Sequence, residues 1–129
     1  MGEPFIFINT YAIEPDRRDE YLERFRRTAQ MVQANNPRVL YFACHLSEDG
    51  SRASTVQVHA DADSMALHMQ QAARHIEAAR EILDFSTMSM QILGSPTEAV
   101  LEGIRRTSAP GATVTVMPAA VAFDRFPEV

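Results

Sequence analysis

The sequence predicts an α+β fold of the ferredoxin-like type, βαββαβ, followed by a C-terminal αβ extension. Three observations predict it. Residues 39–59 read as two strands joined by a tight turn, with a helix directly after them. A strand and an amphipathic helix precede this hairpin, over residues 5–32. A further alternating stretch, residues 85–93, completes the second half of the repeat. A split βαβ unit repeated in this way gives an antiparallel four-stranded sheet with two helices on one face.

The first strand is Phe5 to Ile13. Ile6, Ile8 and Ala12 project to one side, and Phe5, Phe7, Asn9, Tyr11 and Ile13 to the other. Both sides are largely apolar, so the strand is expected to be covered on both faces. Pro15 and Asp16 open the first helix, where Pro is tolerated in the first turn. Leu22, Phe25, Ala29 and Val32 recur at helical spacing and form its buried stripe. Glu20–Arg24 and Glu23–Arg27 are i,i+4 pairs in the favoured orientation. Asn35-Asn36-Pro37 ends the helix, because Pro disfavours the α region for the residue before it.

Val39 to Leu46 is rich in β-branched and aromatic residues and forms the second strand. Asp49-Gly50 supplies the turn, since Gly accepts positive φ without steric cost. In the third strand Thr55, Gln57 and His59 point one way, Val56 and Val58 the other. Asp61 can cap the second helix, and Asp63 sits in its first turn, where the helix dipole favours negative charge. Met65, Met69, Ala72, Ile76, Ala79 and Leu83 carry the apolar stripe, with a break near Ala73.

The fourth strand is Phe85 to Leu93, with Met88, Met90 and Ile92 on one side and Thr87, Ser89, Gln91 and Leu93 on the other. Ser95-Pro96-Thr97-Glu98 reads as a capping box that starts a third helix, with Val100, Leu101 and Ile104 as its apolar face. Pro110-Gly111 is a turn and Thr113 to Met117 a last strand. Pro118 breaks it, and Ala119 to Phe126 is expected to run on as an extended arm.

The 129 residues favour one domain over 1–129, with 5–93 as the ferredoxin-like core and 95–129 as the extension. The apolar fraction is 46% and the charged fraction 22%, as in an ordinary soluble protein. Acids outnumber Lys and Arg 17 to 12, so a nucleic-acid partner is not expected. The basic residues cluster only between Arg17 and Arg27, interleaved with Asp19, Glu20 and Glu23, which is a solvated helix face. No apolar run approaches the ~18 residues that span a membrane, and the first residues lack the basic segment of a secretory signal. A lone cysteine, Cys44, permits no intrachain disulfide and fits a reducing cytoplasm.

Strand alternation divides the sheet. The helices are expected to cover Ile6, Ile8, Leu40, Phe42, Leu46, Val56, Val58, Met88, Met90 and Ile92. The opposite face then holds Phe5, Phe7, Asn9, Tyr11, Tyr41, His45, Thr55, Gln57, His59, Ser89 and Gln91. That face is too apolar for free solvent and too polar for a plain core, which suggests a second sheet with a cavity between the two. Asn9, Tyr11, Tyr41, Gln57 and His59 are the candidate ligand contacts on it, and His45 a candidate base. Hydrogen-bonding groups on an apolar wall orient a phenol or quinone, and a histidine there can take a phenolic proton. The structural alternative is bonding across a dimer interface or at wet strand ends, with His59, at the end of its strand, in solvent.

His68 is the second candidate base, at the rim of the same cavity; its structural alternative is a partly buried histidine at a helix edge. His75 lies seven residues on, ~10 Å away along a helix, too far for both to bind one metal ion. No metal site or cofactor is expected. Cys44 should face the helices as a structural thiol, because nothing basic adjoins it.

Two stretches resemble the antibiotic biosynthesis monooxygenase family. EPDRRDEYLERF, after the first strand, is similar to that family's first-helix opening. TVQVHADADSMALHM is similar to its third strand and second helix, with His68 on the histidine of an Ala-x-His-type helix. The resemblance covers about residues 5–93; the segment from Thr97 to Arg125 resembles an extension found in some bacterial relatives. It implies a dimeric α+β barrel, with two protomers packed sheet to sheet. The family includes cofactor-free oxygenases of phenolic or quinol substrates, haem-degrading enzymes, isomerases and members with no known activity. The tryptophan of several oxygenase and haem-degrading branches is absent here. The implied function is cofactor-independent oxidation of a small aromatic, quinol or polyketide-type molecule by a homodimer. The alternatives are a non-catalytic ligand-binding or stress-related protein, and an isomerase or cyclase using the same cavity.

Overall fold

In the computed structural model, which describes residues 3–128, the chain runs β1 (Phe5–Ala12), α1 (Arg18–Asn35), β2 (Val39–Leu46), β3 (Arg52–His59), α2 (Ala62–Gln71), α3 (Ala73–Ala79), β4 (Ser89–Leu93), α4 (Glu98–Thr107) and β5 (Thr113–Met117). Met1, Gly2 and Val129 of the expected 1–129 span lie outside the described residues. The five strands form one sheet in the order β2-β3-β1-β4-β5. β1 pairs antiparallel with β3 and β4, and β2 antiparallel with β3, which is the ferredoxin-like arrangement. The extension adds β5 parallel to β4. A parallel neighbour needs a crossover connection, and α4 supplies it.

Local chemistry sets the joints. Gly50 has φ +74°, and the Asp49 carboxylate accepts from the Ser51 amide at 3.0 Å and from the Ser47 and Ser51 hydroxyls. Those bonds hold the carboxyl of Asp49 down at about 2. Asp61 caps α2, accepting from the Ser64 amide at 3.0 Å, and also pairs with Arg38 at the entry to β2. The helix after Asp61 breaks at Ala72, whose backbone sits at φ −92° and ψ 3°.

Two local expectations change. Residues 85–87 form a 3-10 turn and the strand starts at Ser89, because the Asp84 carboxylate accepts from the Ser86 amide and hydroxyl and bends the chain. α4 is capped by Thr97, which accepts from the Val100 amide, and not by Ser95. The segment after Pro118 forms no strand and lies exposed, with Val121 96% and Phe123 79% accessible.

The core lies between the sheet and the helices. Phe5, Phe7, Tyr11, Met90 and Ile92 rise from the sheet to meet Met65 of α2 and Val100 and Ile104 of α4. The face assignment is thereby inverted for β1 and β3. Phe5, Tyr11, Thr55, Gln57 and His59 face the helices, and Ile6, Ile8, Val56 and Val58 are only partly buried on the other side. For β4, and for most of β2, the assignment stands: Phe42, Met90 and Ile92 face the helices, and Tyr41, His45, Ser89 and Gln91 face away, but Leu46, expected under the helices, is 39% exposed at the end of its strand. The physical reason is that the helix-facing polar groups of β3 find buried partners, Gln57 in His59, His59 also in Ser64 of α2 and Thr55 in Tyr11 of β1, so their burial costs little.

Deleting residues 97–129 removes Val100 and Ile104 from the core and exposes the β4 edge. The truncated chain is expected to aggregate at concentrations where the full chain stays dispersed, as checked by light scattering. A dispersed truncation with unchanged thermal stability would show that the extension is peripheral.

Candidate functional site

A cavity of about 410 Å³ lies inside the chain, between the sheet and the helices. It does not depend on a second copy, unlike the inter-sheet cavity expected from the sequence. Small-molecule pockets fall in the same range, roughly 300–1,000 Å³. Phe7, Asn9, Tyr11, Phe42, Thr55, Gln57 and Met90 form its floor on the sheet. α1 contributes Tyr21 and Phe25, α2 contributes Met65, His68 and Met69, and α3 contributes His75 and Ile76. Phe25 stacks on Phe42 at 5.0 Å with an angle of 11° between the rings. Gly103 of α4 leaves room for Met69, whose Cε would lie 2.6 Å from a Cβ there. The flexible thioethers of Met65, Met69 and Met90 make the lining adaptable.

Two polar centres interrupt this apolar wall. The first is around His68, which is 4% exposed and sits edge-on to Phe42 with ring centroids 5.4 Å apart. Among the described residues only two sealed side-chain polar atoms lack a partner, His68 Nδ1 and Asn9 Oδ1, and both residues line the cavity. A sealed, unpaired polar atom costs about 1–3 kcal/mol, so each is a feature the fold carries at a loss. Burial pushes His68 down to about 4, so the imidazole is neutral near pH 7. A neutral imidazole has one ring nitrogen free to accept a proton or a hydrogen bond.

His59 supports this centre from beneath. It is 0% exposed; its Nε2–H donates to Gln57 Oε1 at 2.9 Å, and its Nδ1 accepts from the Ser64 hydroxyl at 2.7 Å. Burial first, and then the nearby His68, pushes it down to about 3. It is therefore a neutral strut that fixes the Gln57 amide in the cavity floor.

The second centre is a hydroxyl cluster. Tyr11 OH contacts Tyr21 OH closely and lies 2.6 Å from Thr55 Oγ1. Desolvation raises Tyr11 above the ordinary phenol range, and desolvation raises Tyr21 to about 12, so both keep their protons. Cys44 lies opposite Thr55 in the β2–β3 register, on the helix side as expected, and burial raises its thiol. The cavity mouth carries Arg24, Arg27 and Thr28 of α1, and Thr28 Oγ1 meets His75 Nδ1 at 2.9 Å.

Of the residues expected to share one site, Asn9, Tyr11, Gln57 and His68 line this cavity, and His59 lies directly under it. His59 is thus no solvent residue at a strand end; it is buried by the contact of β3 with α2. Tyr41 and His45 are apart from the others. They are exposed on the outer face of the sheet, where Tyr41 OH lies 3.0 Å from His45 Nε2. One face cannot hold all seven, because alternation puts Tyr41 and His45 opposite Phe42 and Cys44. Tyr21 and Thr55 were not among the expected contacts. The stripe Tyr21–Phe25–Thr28–Val32, one position round from Leu22–Phe25–Ala29–Val32, is the signal that finds Tyr21.

No helix of the described residues is long and apolar enough to cross a membrane, and no three His, Cys, Asp or Glu side chains among them group as metal ligands do. No family model matches the sequence. No curated protein matches it either. Solved structures do match the fold. MupZ from Pseudomonas fluorescens aligns over 96% of this chain and 96% of its own, with a TM-score of 0.74 and 13% identity. A candidate antibiotic biosynthesis monooxygenase from Caulobacter crescentus aligns over 74% of this chain and 92% of its own, with a TM-score of 0.66 and 16% identity. A mutant of SnoaB, a cofactor-independent oxygenase from Streptomyces nogalater, aligns over 74% and 96%, with a TM-score of 0.60 and 18% identity. The α+β fold is therefore the one that the resemblance implies, and at these identities the likeness is one of fold.

Proposed function

We propose that the chain binds a small aromatic, quinol or polyketide-type molecule in the cavity and oxidises it with dioxygen, without a bound cofactor. One observation carries the reading: an apolar cavity of about 410 Å³ whose lining includes His68 and Asn9, the two residues that each carry an unpaired buried polar atom. Aromatic and thioether side chains accept a flat apolar body, and the polar side chains of the lining fix its oxygen substituents. His68 is the proton acceptor. Its free imidazole is weakly basic in the empty cavity, and a phenolate or enolate formed beside it stabilises the imidazolium in return. The electron-rich anion then reduces dioxygen. For an anthrone, the ring CH2 becomes a carbonyl, one oxygen atom enters the product and the other leaves as water with the two hydrogens. The substrate supplies all four electrons.

The low basicity of His68 favours a second reading, in which the same cavity holds its ligand without turnover. Oxygen uptake with a panel of anthrones and hydroquinones separates the two. Uptake that depends on His68 supports the oxygenase. Binding without uptake leaves the binding protein, and uptake lost in His45→Ala but kept in His68→Ala would move the base to the outer face.

A homodimer packed sheet to sheet belongs to this proposal. Ile6, Ile8, Val56 and Val58 are only partly buried on the face that no helix covers, with Tyr41 46% and Met117 44% exposed. Light scattering at micromolar concentration is expected to give twice the chain mass, for an interface above ~1,200 Å². A monomer would refute the dimer and leave the cavity intact, because the cavity is built within one chain.

A further inference from the structure

The hydroxyl cluster of Tyr11, Tyr21 and Thr55 has no part in the proton transfer assigned to His68. It is also unusual for what it leaves unused. Two contacts join the three hydroxyls, so they use two hydroxyl hydrogens. The third hydrogen sits at one end of the chain or the other, or on Tyr11, beside the Cys44 sulfur, when both neighbours donate to it. If Tyr21 donates to Tyr11 and Tyr11 to Thr55, the Thr55 hydroxyl has its hydrogen to give. If the chain runs the other way, Tyr21 has it. The two end residues are 7% and 8% exposed, and both line the cavity. A hydroxyl chain that can reverse offers either a donor or an acceptor, so it takes a carbonyl or a hydroxyl equally well.

The cluster stands apart from His68. Gln57, held by His59, is at the His68 end of the floor, where Phe42 lies opposite Gln57 in register and meets the His68 ring. Thr55 is one same-face step along β3 from Gln57, roughly 6–7 Å. Tyr11 is a further step along, since Asn9 pairs with Thr55 and Tyr11 with Ala53. Phe7, Phe25, Phe42 and Met90 supply the apolar wall around the poles, and Asn9, opposite Thr55 in register, is the polar side chain that interrupts it.

We infer that the cavity is a two-pole site for a flat molecule with oxygen substituents at opposite ends, one met by His68 and Gln57 and the other by the Tyr11–Tyr21–Thr55 hydroxyls. This rests on the aromatic-ligand reading above and narrows it. A ligand with one oxygen, or with two adjacent ones, satisfies a single pole and leaves the other dry and unpaired. The second pole is held in place before any ligand arrives, because Tyr11 is 1% exposed and its phenol is fixed from both sides.

The test is calorimetric titration with naphthols of nearly equal size: 2-naphthol, 2,3-dihydroxynaphthalene and 2,6-dihydroxynaphthalene. The 2,6-isomer is expected to bind ~10-fold tighter than the other two, the worth of one net hydrogen bond. Tyr21→Phe and Thr55→Val, measured separately and each checked for an unchanged fold by circular dichroism, should bring the ratio of 2,6-dihydroxynaphthalene to 2-naphthol affinity down towards one. Equal binding of all three in every variant would overturn the second pole and leave the aromatic reading standing. No binding by any of them would remove that reading and the second pole with it. A 2,6-preference abolished by the variants, in a protein that takes up no oxygen, would keep both poles and discard the oxygenase.

Discussion

Replacing His68 with leucine is expected to lower oxidation turnover by ~10²–10⁴-fold, the usual scale for removing a general base. The same change should leave the fold as stable as before, or more stable by about 1–3 kcal/mol, because it removes a sealed nitrogen that has no partner. The two effects have opposite signs, which sets a functional residue apart from a structural one. A core histidine that merely held α2 on the sheet would lose stability on replacement. The measurements are oxygen uptake at saturating substrate and the urea midpoint of unfolding. Unchanged uptake would refute the role of His68 in proton transfer. A fall of several kcal/mol in stability would show that the ring packs as a structural element.

Acid should unfold the protein early. His59 is pushed down to about 3 and His68 to about 4 by burial. Unfolded histidines titrate near 6.5. Between those values the unfolded chain binds the protons that the folded chain refuses, so stability rises with pH there and is lost as pH falls from about 6.5. At pH 5 each histidine costs about 2 kcal/mol relative to pH 7.5, hence about 4 kcal/mol for the pair. That is a large share of the ~5–15 kcal/mol of a typical domain. Urea midpoints at pH 7.5 and pH 5 measure it, and His68→Leu should remove about half of the difference. A midpoint that does not move between the two would mean that the buried rings accept protons in the folded state. The same values put the acid limb of a His68-dependent reaction below the pH at which the fold itself weakens.

The hairpin, the first helix and the order of elements were legible because their signals are local. Gly50 must turn at positive φ, and Asp61 must cap the helix it precedes. The faces of β1 and β3 were not. β1 carries Phe5, Phe7 and Tyr11 on one side and Ile6 and Ile8 on the other, so its own pattern does not say which side meets the helices. β3 alternates cleanly, and the alternation misleads. Its valines look like core, and its Thr55, Gln57 and His59 look like surface. The ordinary rule is inverted here because the inward polar groups find partners inside, Thr55 with Tyr11 and Gln57 with His59. His59 shows how: the partner that makes its burial tolerable, Ser64, lies on the next helix, and only the packing of α2 on β3 brings them together. Tyr21 was hidden by a tie between two stripes that share Phe25 and Val32.

The break at Ala72 gives the cavity two kinds of wall. The sheet and α2 belong to the continuous core, and they open only when much of the fold opens with them. α3 buries no residue fully, and its links to α1 are the Thr28–His75 contact and the bond from Arg24 Nη1 to the Ala78 carbonyl at 3.2 Å. Such a segment opens locally at a fraction of the global cost. For the binding function proposed above, α3 is then the wall that opens at least cost, while the sheet and α2 stay closed. On that proposal, the rate of entry and the precision of holding would rest on different helices.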